Sequence, residues 1–283
     1  MKKLSYRSRN LLRETSLCAL TILAVLVVGL PFFWALTTSL KPKTEILNYP
    51  PTILPREITF ANYFSLFTET TFVTQMRNSV IVSTASTLLT LSIAMLSAYS
   101  ISRFKYHGRE FIFKGIIFLY MLPTVLFAVP FYLMMTTLKL VDTYLGLIIA
   151  YTALFLPFAI WLLRGFIEAI PIDLEESAKV DGAGTLRTFL SIVVPNTLPG
   201  IAATAIFTFI AAWNEFLLAL ILTTSVDVQP APPGLYSWAV YTFVAWDSLM
   251  TATVVIVIPV LVLFLFIQKR LIRGMNIAVG VKM

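Results

Sequence analysis

Residues 175–195 read EESAKVDGAGTLRTFLSIVVP, a polar stretch set between two long apolar runs. Local chemistry gives it a shape. Pro171 precedes it, Asp173 is placed to act as an N-cap, and Glu176, three residues on, is its capping-box partner. That predicts a short helix over LEESAKV, 174–180. Gly182 suits the left-handed residue that ends a helix. A second helical run, TLRTFLSIVV, leads to Pro195 and Pro199 at the foot of the next apolar run. The stretch is therefore expected to fold as helix, glycine turn, helix. Ala178 and Val180 flank a small surface that a partner can approach closely, and Ile172, Leu174 and Phe189 are expected to pack on the chain's own helices.

The surrounding sequence says where this loop sits. The chain has 283 residues, 58% hydrophobic and 12% charged, outside the range of soluble domains. Charge-poor runs long enough to cross ~30 Å of hydrocarbon recur near 15–40, 76–101, 112–137, 145–166, 198–223 and 248–268. The first follows Lys2, Lys3, Arg7, Arg9 and Arg13. It is longer than a signal-peptide core and has no evident A-x-A cleavage site, so it reads as a retained anchor. With the N-terminus inside, Lys41, Lys43, Arg56, Arg77 and Lys139 fall outside and the other 16 of the 21 Lys and Arg residues fall inside. The positive-inside bias therefore predicts cytoplasmic N- and C-termini, with the loop 167–197 also cytoplasmic. The net charge of +7 is mostly this topology signal. Basic residues scattered over separate loops do not make a nucleic-acid surface.

Several chemistries are excluded. The single cysteine, Cys18, lies in the first span, so no disulfide or thiolate metal site forms within the chain. The single histidine, His107, lies in the short basic turn RFKYHGRE, 103–110, where Gly108 supports the reversal. No G-x-x-x-x-G-K-[ST] loop is present, so the chain is not expected to hydrolyse ATP. In the loop 41–75, Pro42, Pro50, Pro51 and Pro55 disfavour regular structure until Phe60, after which Phe60, Tyr63, Phe64 and Phe67 form one face of a short interfacial helix. That segment is either a packed cap or a docking surface. Pro31, Pro123, Pro130, Pro157 and Pro259 predict kinked spans, with Pro123 and Pro130 on a shared face.

Glu176, Ser177, Ala178, Gly182, Ile192 and Pro195 carry a resemblance. Their spacing matches the E-A-A, three residues, G, nine residues, I-x-L-P pattern of the EAA loop of ABC-transporter permeases, with Ser177 in place of the first Ala and Val194 in place of Leu. FIAAWNEFLLALILT at 209–223, LPFAIWLLRGFIEAIPIDLEESA at 156–178 and the tail QKRLIRGMNIAVGVKM resemble the MalG-like branch of carbohydrate ABC permeases. The tail departs from the branch in ending at Met283 after Gly280, Val281 and Lys282.

The resemblance implies an all-α integral membrane protein of about six transmembrane helices with a cytoplasmic EAA coupling helix, the ABC type I importer permease fold. It implies one transmembrane domain over 1–283, with the core permease over 72–270 containing the coupling loop 167–197. Glu176, Ser177, Ala178, Asp181, Gly182 and Ala183 would contact an ATPase subunit. The implied function is sugar or sugar-like solute import by alternating access. The implied partners are a second, MalF-like permease subunit, an ATP-binding subunit dimer, an extracytoplasmic solute-binding protein and membrane lipid, in a bacterial or archaeal inner membrane. ATP and Mg would be held by the ATPase subunits, with no cofactor in this chain. Trp213, Asn214 and Glu215 are candidates for the solute pathway or the interface between permeases. Glu215, a carboxylate inside a predicted span, requires a partner or water. It either lines the pathway or serves structure. Tyr120, Tyr151, Tyr236, Trp238, Tyr241 and Trp246 are further aromatic surfaces of the type on which sugar rings stack. Two rival classes predict features that the sequence lacks. A secondary transporter or channel calls for several intramembrane ionisable groups, and a membrane enzyme for a catalytic constellation at membrane depth.

Overall fold

A computed structural model describes residues 6–241 and 245–280, all helical or connecting. Lys2, Lys3, Val281, Lys282 and Met283, which entered the charge and tail readings, lie outside the described residues. Among the described residues five helices are long and apolar enough to cross a membrane, six if a bent pair counts as one span. The contacts divide the chain into two units, 1–70 with 238–257, and 71–237 with 258–283.

In the first unit, α1 (Tyr6–Ser39) is followed by a one-turn helix α2 (Lys43–Ile46) and by α3 (Ala61–Thr68). The proline-rich loop is more ordered than its composition predicts, because buried polar groups tie it together. Asn62 donates to the carbonyls of Ser39 and Lys41 at 2.9 and 2.8 Å. Glu45 accepts from the Thr52 hydroxyl at 2.6 Å and from the Arg56 amide. The Thr52 bond comes first among the causes that hold the Glu45 carboxyl below its usual range. Lys43 pairs with Asp247 at 3.0 Å. Phe60, Phe64 and Phe67 are exposed, as an interfacial face requires, while Leu66 of α3 is buried.

The second unit is built on α4 (Phe72–Arg103) and α7 (Tyr144–Glu168), which run side by side in one direction. Asn78 meets Tyr144 at one end, and Arg103 meets Ile167 at the other. Small buried residues of α4, among them Ser79, Ser83, Ser86, Ala94 and Ala98, let the helices approach closely. At the Asn78 end the amide donates to Val226 and Gln229 carbonyls at 3.1 and 2.9 Å, and Tyr144 donates to its oxygen at 2.6 Å.

Two of the predicted spans differ in detail. The third is not one helix. α5 (Arg109–Met121) and α6 (Val125–Thr137) meet at 103°. Pro123 lies in the break and Pro130 inside α6, so the two prolines do not share a helical face. A proline gives no amide to the ladder and crowds the preceding turn. The fifth predicted span breaks too: α10 (Val194–Trp213) ends at Asn214, and α11 (Leu217–Leu222) starts afresh. α12 (Ala231–Tyr241) follows, and the last helix, α13, covers Trp246–Gly280. The turn at 103–110 reverses as expected, with Gly108 at φ +83°.

Candidate functional site

The loop 169–195 begins with α8 (Ile172–Val180), turns at Gly182, and enters a four-residue helix α9 (Thr185–Thr188). Gly182 has φ +84°, the left-handed conformation expected of it. Its amide bonds the Lys179 carbonyl at 3.0 Å, and that of Ala183 the Ala178 carbonyl at 2.9 Å, closing the last turn of α8. The start of α8 is not as predicted. Pro171 occupies the cap position, no side chain caps the helix, and Asp173 sits in the first turn. Pro pre-sets its own backbone and brings the helix start forward, so Asp173 and Glu176 form no capping box. The second helical run is continuous with α10 through a wide turn, Phe189–Val193, in which the Val194 amide reaches the Phe189 carbonyl five residues back. The widened turn ends beside Pro195, whose ring would crowd an ordinary turn.

Burial corrects the predicted packing face. Phe189 is buried, but Ile172 and Leu174 are exposed. Glu176, Ser177, Asp181 and Gly182 are exposed, and Ala178 and Ala183 are half-buried, so the candidate contact residues share one accessible region. The residue that α8 does bury is Glu175. Arg103, at the end of α4, donates from Nε to Glu175 Oε1 at 2.6 Å. Its Nη2 donates to the carbonyls of Ile167 and Ile170 at 2.8 and 2.9 Å. Tyr99 donates its hydroxyl to Glu175 Oε2 at 3.2 Å and lies against the Phe189 ring at 5.0 Å. Sequence reading missed this cluster. Arg103 read as one more basic residue of the turn 103–110, and Glu175 stood beside the motif glutamate. The available signal was a period: Tyr99 and Arg103 are four apart, hence on one helix face.

Trp213, Asn214 and Glu215 lie at the second break. Trp213 is buried and stacks on Phe209 at 5.7 Å. Asn214 is exposed and returns its amide to the Ile210 carbonyl at 2.8 Å. Glu215 is not within a helix. Its two carboxylate oxygens accept from the amides of Leu218 and Ala219 at 2.9 and 3.0 Å. It thus satisfies the free amides at the start of α11, which would otherwise lack partners in hydrocarbon. Of the other aromatic candidates, Tyr151 is buried, while Tyr120, Tyr236 and Trp246 are exposed. Glu215→Ala is expected to lower the thermal midpoint of the purified protein, since two orphaned amides each cost about 1–3 kcal/mol. Glu215→Gln, with one acceptor oxygen left, should fall between. Equal midpoints for all three proteins would remove the capping role.

Among the described residues, no group of three or more His, Cys, Asp or Glu side chains is placed to hold a metal. What the loop presents is a short exposed helix edge held at a fixed turn.

Comparison with known proteins places the chain in a family. Residues 90–277 match the family of binding-protein-dependent transport system inner membrane components, and the chain belongs to that family. It is a multi-pass inner-membrane permease subunit of an ABC importer, a transport component without catalytic activity of its own. It is 31% identical over 254 residues to the diacetylchitobiose uptake permease DasC of Streptomyces coelicolor, covering 89% of this chain and 92% of that one. It is 31% identical over 258 residues to the trehalose/maltose permease MalG of Thermococcus litoralis, covering 90% and 92%. With the sulfoquinovosyl glycerol permease SmoH of Agrobacterium fabrum it shares 35% over 253 residues, covering 89% of each. In fold it is similar to a chain of a bacterial ABC transporter involved in alginate import, at a TM-score of 0.83 and 22% identity over 95% of this chain and 99% of that one.

Proposed function

We propose that this permease imports a sugar or sugar-like solute by alternating access. On this reading it is paired with a second, MalF-like permease, driven by a dimer of ATPases that bind ATP and Mg, and supplied by a solute-binding protein on the outer side. The observation that carries the sugar reading is that relatives spanning about nine-tenths of the chain are named for uptake of diacetylchitobiose and for transport of trehalose/maltose and sulfoquinovosyl glycerol. The loop 167–197 faces the cytoplasm, and Glu176, Ser177, Ala178, Asp181, Gly182 and Ala183 meet the ATPase. Their accessibility on a helix closed by a left-handed glycine supports this reading. So does the charge bias, which also places both termini on that side.

The test has two arms. Labelled trehalose, maltose and diacetylchitobiose are offered to cells lacking and regaining the chain, and uptake of at least one is expected to return with it. In a Cys18→Ser background, Ser177→Cys should resist a membrane-impermeant thiol reagent in intact cells and cross-link to the co-purifying ATPase. Uptake of none of these solutes would overturn the sugar assignment. Labelling from outside would overturn the topology.

A further inference from the structure

Helix α8 has nine residues, and the one it buries is a carboxylate, Glu175. Its apolar residues Ile172, Leu174 and Val180 face outward. No hydrophobic ridge therefore keys this helix to the membrane core; the key is polar. The Arg103 and Glu175 side chains are 11% and 3% exposed. A single guanidinium binds three elements at once: it extends from the last residue of α4, caps the carbonyls of Ile167 and Ile170 at the end of α7, and pairs with α8. Tyr99, one turn back on α4, holds the other carboxylate oxygen. A buried ion pair adds little net stability compared with apolar packing of the same volume. It does fix direction, because the planar fork of Arg accepts only a narrow range of partner positions.

We propose that Arg103 is the positioning residue of energy coupling. Through Glu175 it locks α8 to the ends of α4 and α7, so that displacement of the loop helix reaches the membrane core without slack. The inference rests on the reading that α8 meets the ATPase. Arg103 does not touch the ATPase or the solute; it sets the angle at which α8 pushes. Lys at this position keeps the charge opposite Glu175 but loses the fork, and with it the simultaneous hold on the carbonyls of Ile167 and Ile170.

The test uses the full complex, co-expressed with its ATPase and second permease and reconstituted in lipid. Nitroxides are placed on the exposed residues Leu96 of α4 and Asp173 of α8, and their separation is measured without nucleotide and after trapping with Mg, ADP and vanadate. In the otherwise native protein the separation is expected to change by no more than about 1–2 Å, the scale of shifts between packed helices. With Arg103→Lys it is expected to shift beyond that range and broaden, while the complex assembles and hydrolyses ATP. An unchanged separation in Arg103→Lys would overturn the proposal. So would a native separation that changes as much as the variant's. Failure of the Arg103→Lys complex to assemble would also overturn it, since the residue would then serve folding. The Ser177→Cys cross-link separates the two readings. Its absence in a chain with native Arg103 removes the ATPase contact itself, whatever Arg103 does.

Discussion

Glu175→Leu is expected to destabilise the protein by about 3–5 kcal/mol, because it leaves the Arg103 guanidinium buried without its counter-charge. The measurement is the thermal midpoint in detergent, together with the fraction recovered as a monodisperse peak. Adding Arg103→Met should return part of that loss. Both charges are then gone, and the new side chains lie among Tyr99, Ile167 and Phe189, all buried. Recovery should stop short of the starting value, since the Ile167 and Ile170 carbonyls lose a donor worth about 1–3 kcal/mol when buried. A double variant no more stable than Glu175→Leu would mean that the carboxylate works by packing rather than by charge.

Gly182→Val is expected to leave the protein in the membrane and take away much of its transport. A Cβ at Gly182 meets nothing within 4 Å, so the penalty is not a clash with neighbours. It lies in the backbone: φ is +84°, where an L-residue costs about 1–2 kcal/mol and a β-branched one is a clear outlier. The cheaper course for the chain is to leave this conformation, which changes the angle between α8 and α9. A docking surface weakened by about 1–2 kcal/mol loses roughly 5- to 30-fold in occupancy. Uptake and the cross-link from position 177 should fall together by that order. Gly182→Asn is the control, because Asn tolerates the left-handed region and should keep most of both. Wild-type uptake by a normally expressed Gly182→Val protein would show that the turn is dispensable.

The long helices and the glycine turn were legible in the sequence for distinct reasons. A run of apolar residues has one solution in hydrocarbon, a helix, so the positions of the spans followed from composition. A glycine after a polar helical run has few other uses than a left-handed end. The breaks were harder. Pro123 announces a bend but not its size, because a proline helix can kink gently or stop, and the packing around it decides. Nothing in the fifth span announced a break at Asn214–Phe216, since the sequence there reads as a helix carrying one awkward acid. Glu215 made sense once the amides of Leu218 and Ala219 were seen to need an acceptor. The Arg103–Glu175 pair joins residues 72 positions apart, a separation that local periodicity does not bridge. The motif itself drew attention one residue away, to Glu176.

The hydroxyl-bearing helices bear on how the chain enters the membrane during synthesis. α4 and the 185–213 helix are the least apolar of the five long spans. α4 emerges from the ribosome well before α7, the helix it will pack against. Ser86 and Ser92 donate to the carbonyls of Val82 and Leu88, and Thr197 and Thr204 to those of Val193 and Gly200, each four residues back. These side chains bring their own acceptors with them. These four hydroxyls can wait in lipid already satisfied until the neighbouring helix arrives, whereas the buried hydroxyls of Thr87, Thr90 and Thr208 on the same helices have no such acceptor.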